Sequence, residues 1–413
     1  MAQLRTSITA ATPAATPAAT NVVAIVGENA NGILDVQSRH FLALLPAGLH
    51  GHILRLSDPG FVTQLDTLLA QGILFAWPYA GVGARLEIGG RNLWEAAEVP
   101  FISVLADAPF IMPANHRVRS THVVNGYIYR DWLELQQTHI RSAQMSTLLP
   151  MGVIPNPAAR AVSWSRRPHR MVFVKGGSDP ARQRAHWSAW PAALRRVLHD
   201  SADSLAAQPT GPILPTVQEC LAAHGLVLDG RRQLLFGLLH ELDTYIRALR
   251  ATAVARALLP LQATIIGDGW GHVSGLGGRA RFLPAVDAAG LDALYAATQT
   301  LVNVSPNLGS GAHERVLRGF ASRCRVLSDT NAYARAHLHS LPSYSGFHWQ
   351  MGDLANQLAE ADRNPAPSDD DLDVAQDWVS QRHDPAAFLG AMTDLAELVR
   401  MQDVMSGYAL DAA

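Results

Sequence analysis

The feature that most constrains this chain is a repeated local pattern, a short apolar and β-branched run that ends in small residues. It occurs as NVVAIVGEN from Asn21, MVFVKGG at 171–177, ATIIGDGW at 263–270 and TLVNVSPN at 300–307. Runs that are apolar throughout, with no alternation, suit strands buried on both faces, and such strands belong to parallel sheets covered by helices. Helical stretches lie between them: Phe61–Gln71, 185–206, a long region at 216–259 broken near Asp229-Gly230, and 291–298. Further strands are expected at 73–77, 101–106, 147–151, 281–286 and 324–327. Strand–helix alternation of this kind predicts an α/β fold. At 413 residues the chain is too long for one small core, so two Rossmann-like domains in series are expected.

Residues 1–20 carry AATPAATPAAT, a low-complexity run that cannot build a core and reads as a disordered tail. The first domain is expected over 21–157 and the second over 158–345, with a Pro/Arg-rich linker at 156–170. An acidic loop is expected at 364–372, and the C-terminal helices in 346–413 are expected to pack back on the first domain. No apolar run reaches the ~20 residues of a membrane helix, which excludes a spanning segment on this criterion. Net charge is −2 with no Lys/Arg run, so nucleic acid is not expected as a partner. The only cysteines are Cys220 and Cys324, and no secretory leader is recognisable, which fits a reducing cytoplasm. Basic residues are almost all arginine; Lys175 is the only lysine.

In open parallel sheets ligands bind beyond the carboxyl ends of strands, so the residues that follow strands carry the functional candidates. After 263–266 come Gly267, Gly269 and Trp270. The glycines permit close backbone approach to a ligand and the indole can stack on a flat ring; the alternative is a plain turn with a core tryptophan. Asn307, Gly309, Ser310 and Gly311 lie in the loop after 301–304, and a helix beginning near Ala312 aims its positive end at them. Small residues at a helix N-terminus suit a phosphate. His313, Glu314 and Arg315 open that helix, with Glu314 and Arg318 spaced as either a solvated pair or part of a site. Lys175, followed by two glycines, can neutralise a diphosphate or sit on the surface as an ordinary lysine. Asp107 in VLADAPF is a base, an acceptor-orienting carboxylate or a turn former. The histidines match no metal-ligand pattern. The chain has no Walker loop, no Gly-x-Ser-x-Gly elbow and no complete dinucleotide fingerprint.

The pieces NLWEAAEVPFISVLADAP (92–109), LLPMGV (148–153), MVFVKGGSDP (171–180), TIIGDGW (264–270) and LVNVSPNLGSGAHERVLRGFASRCRVLSDTN (301–331) come in a familiar order. In them the chain resembles GT-B glycosyltransferases, nearest to the bacterial family-1-like group related to spore-coat maturation glycosyltransferases. The resemblance implies two facing Rossmann-like domains with a cleft. It places a nucleotide-diphosphate-sugar donor on the second domain and a glycan, protein or lipid-linked acceptor on the first. It places Gly267, Gly269 and Trp270 near the base or diphosphate. Asn307, Gly309, Ser310, Gly311, His313 and Glu314 would hold diphosphate and sugar, with Asp329 and Asn331 lining the same place. Arg315 and Lys175 would stabilise the leaving diphosphate, Glu314 would hold a hydroxyl, and Asp107 would orient or deprotonate the acceptor. No metal and no cofactor beyond the donor substrate is implied.

Three positions depart from the family's pattern. The second of two glutamates spaced eight apart falls on Ser322, Arg318 and Arg323 stand where relatives carry glutamate and glycine, and Ala108 replaces the histidine of Asp-His-Pro. The rival readings are a silent nucleotide-sugar-binding or scaffold protein on the same fold, and another two-domain sugar-nucleotide enzyme.

Overall fold

The computed structural model describes residues 20–28, 32–140, 144–349 and 353–411, without the side chains of 403–411. The expected tail falls, but for Thr20, outside the described residues. The chain forms two compact units, Met1–Gly152 with His383–Ala413, and Val153–Arg382.

The first unit is built on a six-stranded sheet of β1 (Asn21–Val26), β2 (His50–Arg55), β3 (Ile73–Pro78), β4 (Phe101–Leu105), β5 (Val123–Tyr127) and β6 (Ser146–Leu148). Its order is β2-β1-β3-β4-β5-β6, and every pairing is parallel. β1 is buried along its whole length, which explains its uninterrupted apolar run. Helices α1 (Ile33–Leu42) and α2 (Phe61–Gln71) cover the sheet, α2 through Phe61, Leu65 and Leu68. The C-terminal helix Pro385–Asp411 belongs to this unit, where Phe388 packs 4.7 Å from Phe41 and 6.1 Å from Trp77.

The second sheet contains β7 (His169–Val174), β8 (Ala263–Ile266), β9 (Arg281–Leu283), β10 (Thr298–Asn303), β11 (Arg325–Asp329) and β12 (Tyr344–Phe347). It too is parallel throughout, in the order β9-β8-β7-β10-β11-β12. The chain therefore winds outward from β7 in one direction, then returns to its other side at β10. That reversal is a topological switch point, where the loops following two neighbouring strands diverge and leave a crevice. Around the sheet lie α3 (Ala192–Ala207), α4 (Arg232–Leu258), α5 (Glu314–Ala321), α6 (Leu354–Arg363) and α7 (Asp369–Arg382). The core joins Phe173, Ile265, Val302 and Leu327 to Val254 and Leu258 of α4 and Leu358 of α6.

Four expectations change. The helix expected at 185–206 is two, Pro180–His186 and α3, because Pro191 lacks the N–H needed to continue the first. The stretch 156–170 is not a free linker: Arg167 is 3% exposed and donates to the carbonyls of Thr298 (2.8 Å), Arg323 (3.0 Å) and Ser322 (3.1 Å). It thereby supplies the C-terminal end of α5 with the donors that its last carbonyls lack. The acidic run begins α7 in place of a loop, and Ser368 and Asp371 exchange side chain–backbone hydrogen bonds at 2.9 and 3.1 Å, a reciprocal cap. Of the segment 346–413, α6 and α7 pack on α4 and α5 in the second unit, and only the last helix joins the first.

Candidate functional site

The sequence reasons for α5 are plain. Val316, Leu317 and Phe320 form its buried face, and Gly319 lets it lie against the sheet, since a Cβ there would stand 2.8 Å from Val326 and 2.9 Å from Leu301. Its N-cap is His313, whose Nδ1 accepts the Arg315 backbone N–H at 3.2 Å. With Nδ1 accepting, the neutral ring carries its proton on Nε2. At the other end Arg323 adopts φ +55°, the left-handed conformation that favours glycine. Its side chain ion-pairs with Asp369 at 2.7 Å and with Asp373, which ties α7 to this turn. Ser322 is buried and its Oγ accepts from Asn156 at 2.9 Å. Both departures from the family pattern at this end thus serve packing.

At the switch point Lys175, which follows β7, lies in the electrostatic field of Arg315, on the helix after β10, and of Arg247 from α4, and His313 lies in the field of all three. The Lys175 ammonium is half-buried and its pKa falls to about 7; desolvation is the largest cause, followed by repulsion from Arg315 and Arg247. His313 is pushed well below its ordinary value by burial and by the same three cations. Asp243 alone opposes this charge at Lys175, and it is already committed, accepting from Arg247 at 3.3 Å and from Asn307 at 2.8 Å. Arg315 donates to Asn303 Oδ1 at 3.0 Å, and Asn303 donates to Ser328 at 2.9 Å, which aims the guanidinium along the ends of β10 and β11. Basic groups that raise one another's cost of ionisation, with so little carboxylate among them, are arranged to receive a polyanion.

Below this cluster runs a buried polar network. Arg250 donates to Asn307 (3.1 Å), to Thr210 (3.2 Å) and to the carbonyls of Gln208 (3.0 Å) and Leu205 (3.2 Å). Burial lowers its pKa to about 10 against the favourable field of Asp329. Asp329 accepts the Ser305 N–H at 2.7 Å and the Thr210 hydroxyl. Asn331 donates to Gly311 O (2.9 Å) and Leu308 O (3.1 Å) and caps the following turn through Ala334 N–H (2.8 Å). The Gly309 carbonyl accepts from Tyr333 N–H at 3.0 Å. Asn307, Asp329 and Asn331 therefore hold the 305–311 loop from beneath, and Gly309, Ser310 and Gly311 are positioned by them.

The remaining candidates fall elsewhere. Trp270 is 4% exposed, packs with Phe173 and His272, and donates to the Lys175 carbonyl at 2.8 Å. It is the core tryptophan of the plainer alternative, and it braces the loop that presents Lys175. Gly267 (φ +140°) and Gly269 (φ +86°) lie so close to the backbone of Lys175 and Gly177 that no side chain fits. Their close approach is to a neighbouring loop. Glu314 starts α5 and pairs with Arg318 at 3.3 Å, and Arg318 also holds Asp292 at 2.7 Å. Asp107 lies exposed in the first unit, in the loop after β4.

Sequence reasoning missed Asp243, Arg247 and Arg250. Their signal was present: charged residues at i, i+4 and i+7 fall on the same face of α4 as Leu239, Ile246 and Val254. An unbroken apolar face would have carried none there. Among the described residues no group of three or more His, Cys, Asp or Glu is placed to hold a metal, and no helix is long and apolar enough to cross a membrane.

Fold and site together define an α/β protein of two parallel six-stranded sheets, the second bearing a cationic cluster at its switch point. No protein-family model matches the chain, and no curated protein does. Among solved structures, the chain is similar to AviGT4, a glycosyltransferase involved in avilamycin A biosynthesis, at 12% identity and TM-score 0.49 over 92% of this chain and 98% of that one. It is similar to sucrose-phosphate synthase from Thermosynechococcus elongatus at 13% identity and TM-score 0.48 over 95% and 99%. HepE from Anabaena, solved with UDP-glucose, matches at 12% identity and TM-score 0.44 over 91% and 98%.

Proposed function

We propose that this protein is a GT-B-type glycosyltransferase that moves a sugar from a nucleotide-diphosphate donor to a glycan, protein or lipid-linked acceptor. The observation that carries the proposal is the group of Lys175, Arg247 and Arg315 around the neutral His313 at the β7/β10 switch point, with Asp243 the one carboxylate that opposes their charge at Lys175. A leaving nucleoside diphosphate gains negative charge as the sugar bond breaks, and preorganised cations stabilise that charge more than they stabilise the intact donor. Arg247 and Arg315 would form charge-assisted hydrogen bonds to phosphate oxygens, and Lys175 would supply a compact charge beside them. Glu314, at the rim on the first turn of α5, would accept from a sugar or ribose hydroxyl. Asp107 would orient or deprotonate the acceptor on the first unit. The sequence resemblance to the spore-coat-related group points to the same chemistry, and solved neighbours such as HepE bind UDP-glucose.

The test is a thermal-shift panel of nucleotide sugars and free nucleoside diphosphates, because a ligand bound only by the folded state raises the apparent melting temperature. At a ligand concentration of a hundred times Kd the gain is about 2.7 kcal/mol. A flat response across the whole panel overturns the donor site. Binding without transfer to any of a broad acceptor set favours a silent scaffold on this fold.

A further inference from the structure

Arg247 and Arg315, the two half-buried guanidiniums of the anion site, are each held by a chain of hydrogen bonds that runs through buried side chains. The two chains meet at one hydroxyl, that of Thr210 in the loop after α3. Towards α5, Thr210 Oγ1 donates to Asp329, whose other carboxylate oxygen accepts from Ser328 Oγ at 3.2 Å. Ser328 Oγ accepts from Asn303 Nδ2 at 2.9 Å, and Asn303 Oδ1 accepts from Arg315 at 3.0 Å. Towards α4, Thr210 Oγ1 accepts from Arg250 Nη1 at 3.2 Å, and the same nitrogen donates to Asn307 Oδ1 at 3.1 Å. Asn307 Nδ2 then donates to Asp243 at 2.8 Å, and the second oxygen of Asp243 accepts from Arg247 at 3.3 Å. A third arm reaches Thr210 from just beyond β12, where the Trp349 indole N–H donates to Oγ1 at 2.7 Å. The Arg250 guanidinium lies 5.1 Å from the centre of that indole.

Resting on the preceding reading of the anion site, we propose that Thr210 is a positioning residue that sets the direction of both guanidiniums at once. Donor and acceptor roles spread outward from its hydroxyl without a choice at any step. A guanidinium and an indole only donate, so the Thr210 proton has one direction left, towards the carboxylate of Asp329, which only accepts. Ser328 gives its proton to the same carboxylate and is left to accept from Asn303. That turns the Asn303 carbonyl, in place of its amide nitrogen, towards Arg315. The Asn307 amide is oriented in the same way. Arg250 takes its carbonyl, its nitrogen takes one oxygen of Asp243, and the other oxygen is left for Arg247.

The hydroxyl uses its one donor and both of its acceptor positions, so it has no unused capacity and no other arrangement available to it. Without it, Asp329 and Nη1 of Arg250 each lose a partner in a place that water does not reach, and the slack passes along both chains to the anion site. Hydrogen bonds from a guanidinium to phosphate depend on angle as well as distance. Two guanidiniums held in one arrangement therefore bind a diphosphate more tightly than the same two sampling several.

The experiment measures pyrophosphate binding to the full chain by titration calorimetry, with the folding of each variant checked by circular dichroism. Thr210→Val keeps the side-chain shape and removes the hydroxyl, whereas Thr210→Ser keeps the hydroxyl. Affinity should fall about tenfold in Thr210→Val and stay within about twofold of wild type in Thr210→Ser, the effect of one or two hydrogen bonds in the chains. Ser328→Ala cuts the α5 arm alone with little loss of packing, and should weaken binding about threefold, half the effect on a logarithmic scale. In an Arg315→Met background that threefold should vanish, because the cut arm no longer ends on a cation. A loss caused by general loosening of the fold would persist there. If wild type binds pyrophosphate, the positioning role is overturned by any of three results, and the anion site stands. These are unchanged binding in Thr210→Val, equal losses in Thr210→Val and Thr210→Ser, or a Ser328→Ala effect that is absent or survives Arg315→Met. Should Thr210→Val not fold, the Ser328 and Arg315 cycle decides by itself. If wild type does not bind pyrophosphate, the anion site falls and this inference falls with it.

Discussion

Replacing Lys175 with methionine should make the second unit more stable and its anion site weaker, two opposite effects from one lost charge. Methionine keeps the length and the apolar stem but removes the ammonium. The lysine's pKa drops from 10.5 to about 7 on folding. At about 1.4 kcal/mol per tenfold change in proton affinity, that is roughly 5 kcal/mol held against the protonated form. Relaxation and residual solvent at a half-buried site reduce this, and ~2 kcal/mol is a working figure for the gain near pH 7. For a unit of this size that corresponds to about 4–8 °C in melting temperature. The pH dependence has a definite sign. Between about 7 and 10.5 the unfolded chain binds more protons than the folded one, so the lysine's contribution to stability improves as pH rises through that window. Below about 7 the penalty is full. The gap between variant and wild type should thus be largest at pH 6 and shrink steadily toward pH 10, read by differential scanning calorimetry in buffer free of polyanions. Pyrophosphate or nucleoside diphosphate affinity should fall about 10- to 100-fold, the worth of one charge-assisted hydrogen bond of about 1.5–3 kcal/mol. A variant that melts at or below the wild-type temperature and binds pyrophosphate unchanged would refute the cluster as a strained anion site.

Other substitutions test separate parts of the structure. Arg167→Met strips the donor from carbonyls at the end of α5 and should lower stability by about 2–4 kcal/mol in a urea titration, whereas a true linker residue would lose nothing. Gly269→Ala forces a side chain into the Gly177 backbone at φ +86° and should cost about 2–4 kcal/mol, with anion affinity falling because the Lys175 loop is displaced. Glu314→Ala removes a half-exposed pair with Arg318 worth under about 1 kcal/mol, so stability should barely change while sugar transfer is lost. Retained transfer would take Glu314 out of the mechanism. Asp107→Asn should reduce transfer at least tenfold, an estimate for a lost base or orienting carboxylate, and leave donor-dependent thermal stabilisation intact.

Much of the architecture was legible because it depends on local chemistry. β1, β7, β8 and β10 each announced themselves as short runs rich in apolar and β-branched residues, the composition that suits a parallel strand covered on both faces. α2 has the expected bounds, Phe61–Gln71, because its apolar spacing ends at Gly72 with φ +87°. Pro191 broke a helix that apolar periodicity had run together, and the Ser368–Asp371 cap opened one where acidic composition had suggested a loop. Both signals were local, and both were outweighed by composition over a wider window.

The site was legible in its place and only partly in its members. Lys175, His313 and Arg315 were visible because each follows a strand, and strand ends are where an α/β sheet receives ligands. Asp243, Arg247 and Arg250 sit more than fifty residues from the loop they support, as the 57-residue separation of Arg250 and Asn307 illustrates. Nothing in a linear pattern states which helix crosses which loop. The roles of Asn307, Asp329 and Asn331 were undecidable for a related reason: a polar side chain after a strand can face a ligand or face inward. Here the buried partners Arg250, Thr210 and the 308–311 carbonyls draw them inward.

By itself, then, the sequence determined two parallel-sheet units, the strand-end loops and one lysine among arginines. Each of these is a matter of local hydrophobic period and residue identity. Only tertiary structure decided that Lys175, Arg247 and Arg315 would share one electrostatic field around His313, because these side chains come from three segments distant in the chain. Coulomb energy depends on separation in space, and folding alone sets that separation.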